Sequence, residues 1–231
     1  LNTLLIAGTD VAVGKTVVTS ALAAYWQTYG AERSLSIFKP VQIGGGDRDH
    51  YLRLFNLQQT PQEVAPLVYK TAIAPPLAAA REESPVQLDL LWQQFTALAQ
   101  RSDWLLVEGF GGLGSPLTAE TTFADLAWDW HLPTILVVPV RLGAIGQAMA
   151  HVALARQSRV HLKGIVLNCP QPCSLQEAED WAPATLIKSL TGVPVLGLVP
   201  HLSDPTHGVQ LAQVASELEL ERIMPLAFQN S

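Results

Sequence analysis

The chain has 231 residues, of which 48% are hydrophobic and 15% charged, and its formal net charge is −6. That apolar fraction supports a sizeable core and excludes an intrinsically disordered chain. A negative balance excludes broad attraction to nucleic acid or to an anionic membrane surface, which leaves small molecules as the expected partners.

No Pro/Ser-rich linker or charge run divides the sequence, so residues 1–231 are expected to form a single domain. The run Leu1–Ala7 lacks a basic leader and stops at Gly8, so it reads as a strand and not as a secretory signal. Short Val/Ile/Leu-rich runs predict further strands at Leu35–Phe38, Trp104–Val107, Thr134–Val138, Gly164–Leu167 and Val195–Leu198. Segments with apolar residues near helical spacing alternate with them, at Lys15–Tyr29, Leu88–Gln100, Thr122–Trp130, Ile145–Arg159, Ala182–Leu190 and Val209–Leu218. This order predicts an α/β fold with a mostly parallel central sheet and helices on both faces, in which ligands bind at the carboxyl ends of the strands. No run approaches the roughly 18 apolar residues that a membrane span needs. The two cysteines, Cys169 and Cys173, have no His or second Cys pair beside them to complete a zinc set, and read as reduced bystanders of a cytoplasmic protein.

The first strand leads into Gly8-Thr9-Asp10-Val11-Ala12-Val13-Gly14-Lys15-Thr16, a P-loop. Backbone N–H groups and the positive end of the following helix suit one phosphate anion there. Lys15 adds a cation for the terminal phosphates of ATP, and the Thr16 hydroxyl is placed for Mg²⁺. Gly8 stands six residues before Gly14, where five is usual, so the turn is one residue longer. P-loop ATPases that partition plasmids or place the septum carry a second lysine four residues before the last glycine; this chain has Asp10 there.

Later strand ends add candidates. Glu108 finishes an apolar strand ahead of Gly111-Gly112, where a carboxylate can hold Mg²⁺ and glycines admit close approach of a ligand. Lys39, fixed by Pro40, can face Lys15 across a cleft and stabilise charge developing in group transfer, though a strand-end lysine also suits a solvated rim. In the loop Gly44-Gly45-Gly46-Asp47-Arg48-Asp49, Asp49 can supply another oxygen to the metal, with Asp47 its competitor, and loop acids are also often simply solvated. The Asn168 amide offers a donor and an acceptor that can read an adenine edge or close a local turn.

Taken in order, GTDVAVGKT at 8–16, FKPVQIG at 38–44, Asp49, LLVEGFGG at 105–112, TFAD at 122–125, LPTILVV at 132–138, RLGAIGQA at 141–148 and the Asn168 strand resemble dethiobiotin synthetase, over about four-fifths of the chain. The resemblance implies ATP- and Mg²⁺-dependent carboxylation of 7,8-diaminopelargonate with CO₂, through a carbamate and its phosphoric anhydride, and closure of a cyclic urea. It implies nucleotide contacts from Asp10, Val11, Ala12, Val13, Gly14, Lys15, Thr16 and Val17, from Asp49, Glu108 and Asn168, and from Pro200, His201 and Leu202. Thr16, Asp49 and Glu108 become the implied metal ligands, and Lys15 and Lys39 the implied catalytic lysines. The substrate side falls on Val11, Lys39, Ile43, Gly111 and Gly112. Leu142, Gly143 and Ile145, at a helix start suited to a carboxylate, are implied to serve the other subunit of a homodimer. Val11 and Ala12 stand where Thr and Glu are familiar, Ile43 where Ser is, Phe110 where Ala is, and Arg141 where Lys is. These departures keep two alternatives in view: a related P-loop amidoligase with another substrate, and a nucleotide-dependent switch without ligase chemistry.

Overall fold

Alternation along the first strand decides how the molecule is layered: Leu4 and Ile6 enter one hydrophobic core, and Leu5 and Ala7 enter another on the opposite face. A strand buried on both faces needs helices above and below it. The structure, a computed structural model, describes residues 2–30 and 33–224. Leu1, part of the run read as the first strand, lies outside them.

In chain order, β1 (Thr3–Gly8) passes through the phosphate loop into α1 (Lys15–Tyr29), and β2 (Leu35–Phe38) is followed by β3 (Val41–Ile43), α2 (Asp47–Leu54), α3 (Pro61–Val64) and β4 (Leu67–Tyr69). Next come α4 (Pro75–Arg81), α5 (Leu88–Arg101), β5 (Trp104–Gly112), α6 (Phe123–Asp129), β6 (Thr134–Pro139) and α7 (Ala144–Gln157). The described chain finishes with β7 (Leu162–Asn168), α8 (Leu175–Trp181), α9 (Ala184–Thr191), β8 (Val195–Val199), α10 (Gly208–Ser216) and α11 (Leu220–Ile223).

The main sheet has the order β2-β5-β1-β6-β7-β8, and every paired neighbour is parallel. Its strands are those expected from the sequence, but β5 continues beyond Val107 and carries Glu108 within it. On one face, α1 packs with α10 and α11 through Val18, Leu22, Leu211 and Ile223. The other face is covered by α4, α5 and α6 around Phe95 and Phe123, and by α7, α8 and α9 around Val152 and Ile187. The small parallel pair β3–β4 was not expected: three residues each give no readable period.

Side-chain caps set the starts of α3, α6, α8 and α10. Thr122 and Asp125 form a reciprocal capping box, so the helix expected from Thr122 begins at Phe123. Ser174 and Glu177 do the same for α8, in a stretch for which no helix was expected. The topology puts the ends of β1, β2, β5 and β7 along one edge, and the chemistry-bearing side chains lie there.

Candidate active site

Close packing fixes the phosphate loop before any ligand arrives. A Cβ on Gly8 would meet the Gly111 carbonyl at 3.0 Å, which seats the loop on the end of β5. Gly14 has φ +97°, and a Cβ there would fall 2.0 Å from Asn168 Nδ2. Asn168 is 2% exposed, and its Nδ2 donates to the Val13 carbonyl at 2.9 Å. The asparagine expected at the base is thus also a strut under the loop, its Oδ1 remaining as an acceptor. Gly14 caps α1 without a side-chain bond, so the first N–H groups of that helix open towards the cleft.

Lys15 is 7% exposed, and its Nζ donates to the Asp10 carbonyl at 2.9 Å. Burial lowers its pKa to about 8, with Glu108 opposing the shift and Lys39 adding to it. Lys39, fixed by its backbone N–H to the Val64 carbonyl, places Nζ 2.5 Å from Glu108 Oε1 and 2.6 Å from Asp47 Oδ2. Burial works to lower this pKa, but the charges of Glu108 and Asp47 outweigh it and hold the ammonium above the usual lysine range. Glu108 is fully buried; Thr16 Oγ1 donates to its Oε1 at 3.2 Å, and the Tyr51 hydroxyl donates to its Oε2. Burial, and then the Glu108 charge, push the Tyr51 phenol well above its ordinary value, so it remains a donor at neutral pH.

These groups open into a cleft of about 440 Å³. At the phosphate end its wall includes Val11, Ala12, Gly14, Lys15, Thr16 and Val17; beside them stand Lys39, Ile43, Glu108 and Gly111. Asn168, Pro200, His201 and Leu202 form the far end. Other expected residues stand apart. Val13 is buried beneath the loop, and Asp10 faces solvent, its Oδ1 accepting from the Val11 N–H at 2.7 Å. Gly112 is buried behind Gly111, its N–H donating to Ser115 Oγ. Leu142, Gly143 and Ile145 sit at the start of α7 outside this cleft, with Leu142 87% exposed.

Asp49 also differs from expectation. It turns away from Thr16 and Glu108 and pairs with Arg48 at 3.1 Å, whereas Asp47 lies in the cleft 3.4 Å from Thr16 Oγ1. Two residues along a helix rotate a side chain by about 200°, so both acids cannot face the same way. Tyr51 was missed altogether, because the polar segment before it conceals a helix; its one signal is the i,i+4 spacing from Asp47. Phe110, Cys169, Pro170 and Pro205 complete the wall.

Thr16 Oγ1 and the two nearby carboxylates are hard oxygen donors of the kind Mg²⁺ takes. Among the described residues no group of three His, Cys, Asp or Glu is placed to hold a metal. Mg²⁺ characteristically binds through one or two carboxylates together with substrate phosphates and water.

A phosphate loop between a central parallel strand and a helix, with a lysine, a hydroxyl and a carboxylate from the neighbouring strand converging on it, defines the P-loop nucleotide-dependent class. Solved structures agree in fold. A ParA family ATPase from Chlorobium tepidum superposes with TM-score 0.59 at 14% identity, covering 100% of this chain and 98% of that one. MinD from Aquifex aeolicus gives 0.57 at 13%, with the same coverage. A family model described as an AAA domain matches residues 2–207. The ATP-dependent dethiobiotin synthetase BioD of Gloeothece citriformis is 52% identical over 96% of this chain and 99% of its own length. That of Crocosphaera subtropica is 53% identical over 96% and 100%, and that of a Synechocystis species 48% over 96% and 94%. The chain belongs to the dethiobiotin synthetase family.

Proposed function

We propose that the chain is an ATP-dependent dethiobiotin synthetase, which joins 7,8-diaminopelargonate and CO₂ into a cyclic urea and releases ADP and phosphate. The observation that carries this reading is the convergence of Lys15, Lys39, Thr16 and Glu108 on one phosphate loop, in a chain alike over nearly its whole length to relatives of that name.

One amine of the substrate attacks CO₂ and loses a proton, giving a carbamate. A carbamate oxygen displaces ADP from the γ-phosphorus, and the second amine then attacks the carbonyl carbon, closing the ring and expelling phosphate. Lys15 and the N–H groups of the loop hold the polyphosphate, and Lys39 offsets negative charge on the carbamate and on the transferring group. Its bridge to Glu108 and Asp47 keeps the ammonium charged and fixed, so little reorganisation accompanies transfer. Thr16, Glu108 and an acid of α2, either Asp47 by its place in the cleft or Asp49 by the motif it matches, would hold Mg²⁺. When bound, that ion neutralises charge on the β- and γ-phosphates. Val11, Ile43 and Gly111 make a close, partly apolar wall that positions the diamine, so ring closure is intramolecular.

The same reading takes residues 1–231 as one domain and the working unit as a cytoplasmic homodimer, whose second subunit receives the substrate carboxylate at Leu142, Gly143 and Ile145. The exposure of Leu142 at an uncapped helix start supports that role. Among the described residues no helix is long and apolar enough to cross a membrane.

Purified protein given ATP, Mg²⁺, bicarbonate and diaminopelargonate should release ADP and form the cyclic urea, both followed by mass spectrometry. Lys39→Gln should lower the rate at least a hundredfold while ADP still binds. Binding of ATP with no diamine-dependent ADP would refute the assignment.

A further inference from the structure

A glutamate carboxylate has two equivalent oxygens and a broad, nearly two-fold torsion about its last bond. Glu108 is nevertheless held one way round. Oε1 receives Lys39 at 2.5 Å and Thr16 at 3.2 Å, while Oε2 receives the Tyr51 hydroxyl from the side away from the phosphate loop. Tyr51 is fully buried, with its ring stacked near Phe55 at 6.5 Å and edge-on to His50 at 5.6 Å.

Tyr51 lies on α2 one turn after Asp47, so the residue that orients Glu108 also anchors the helix that presents Asp47 and Asp49. The approach to that helix supplies little restraint: a Cβ on Gly44, Gly45 or Gly46 would meet nothing within 4 Å. The first turn is held by side chains instead: Gln42 accepts from the Arg48 N–H at 2.8 Å, Asp47 pairs with Lys39 at 2.6 Å, and His50 Nε2 lies 3.1 Å from Ser20 Oγ. A lost hydroxyl would leave Glu108 Oε2 without its tyrosine partner and remove the bond between Tyr51 on α2 and Glu108 on β5, with Oε1 still held by Lys39 and Thr16.

We propose that Tyr51 is a positioning residue of the nucleotide–metal site: its hydroxyl holds the plane of the Glu108 carboxylate so that one oxygen stays turned to Thr16 and Lys39, and it ties α2 to β5. The inference rests on the reading of the cleft as an ATP and Mg²⁺ site. Outer partners of metal-holding carboxylates characteristically change metal affinity or activity by about 10–100-fold when removed.

The test compares Tyr51→Phe and Tyr51→Leu with the unaltered protein. Mn²⁺ serves as the probe, its affinity for the protein–ADP complex read from the free-ion paramagnetic signal, and ADP affinity is measured separately without metal. Both variants should lose about tenfold in Mn²⁺ affinity, keep metal-free ADP affinity within about twofold, and lower kcat at unchanged KM for ATP. A side chain that only fills the core gives another pattern: Phe behaves as Tyr, and Leu alone is impaired through loss of folded protein. That pattern, or unchanged Mn²⁺ affinity in Tyr51→Phe, overturns the proposal. If the unaltered protein makes no cyclic urea, the reaction assignment fails, and the metal affinities still decide the role of Tyr51.

Discussion

Lys15 shows how burial sets an ionisation in this cleft. With its pKa lowered to about 8 by desolvation, the free protein holds the side chain uncharged between about pH 8 and the ordinary value of 10.5, where the unfolded chain still carries the proton. Lys15 alone therefore makes the fold more stable as pH rises through that window, and this contribution is lost as pH falls back through about 8. Polyphosphate needs the charged form, so the opposite trend is expected for binding: ADP affinity measured by calorimetry should fall about tenfold per pH unit above pH 8, and a flat profile would contradict it. Cys169 illustrates burial acting on a neutral acid. Desolvation and the neighbouring Cys173 thiol, 2.9 Å away, push it up to about 12. Iodoacetamide at neutral pH should accordingly label the half-buried Cys173 first and leave Cys169 unmodified until the chain unfolds, as peptide mapping would show.

At the scale of elements, the phosphate loop and the caps separate function from stability. Gly14→Ala places a side chain at φ +97° against Asn168, so it should abolish ADP binding and lower stability by more than about 1 kcal/mol. Thr122→Ala breaks the capping box of α6, a helix that does not line the cleft, and urea denaturation should show a loss of about 1 kcal/mol with ADP affinity unchanged. The central strands, α1 and the positions of Lys15, Lys39 and Glu108 were legible in the sequence because continuous apolar runs end on those charges or glycines. The segment 41–69 was not. Its helix α2 opens with Asp47-Arg48-Asp49-His50, a polar stretch in which Tyr51 gives no period, and β3 and β4 are too short to read. Which acid of that turn enters the cleft depends on helical phase, which sequence spacing reveals only once the helix is known.

Across the whole molecule, the cleft joins distant parts of one sheet, so a ligand should report on the fold as a unit. ADP with Mg²⁺ at about 100 times its dissociation constant should add about 2.7 kcal/mol. For a chain of this size that raises Tm by about 5–10 °C, and differential scanning calorimetry should show a smaller rise for Asn168→Ala. The strut beneath the phosphate loop has a temporal consequence as well. Asn168 supports Val13 from 155 residues further along the chain, and the Pro200–Leu202 wall comes later still. A chain emerging from the ribosome presents its phosphate loop well before Asn168, so the loop lacks this support until β7 has been made and has docked. Nucleotide then finds its full site only after the segment with Pro200–Leu202 has been made, so it stabilises the folded sheet without trapping shorter precursors.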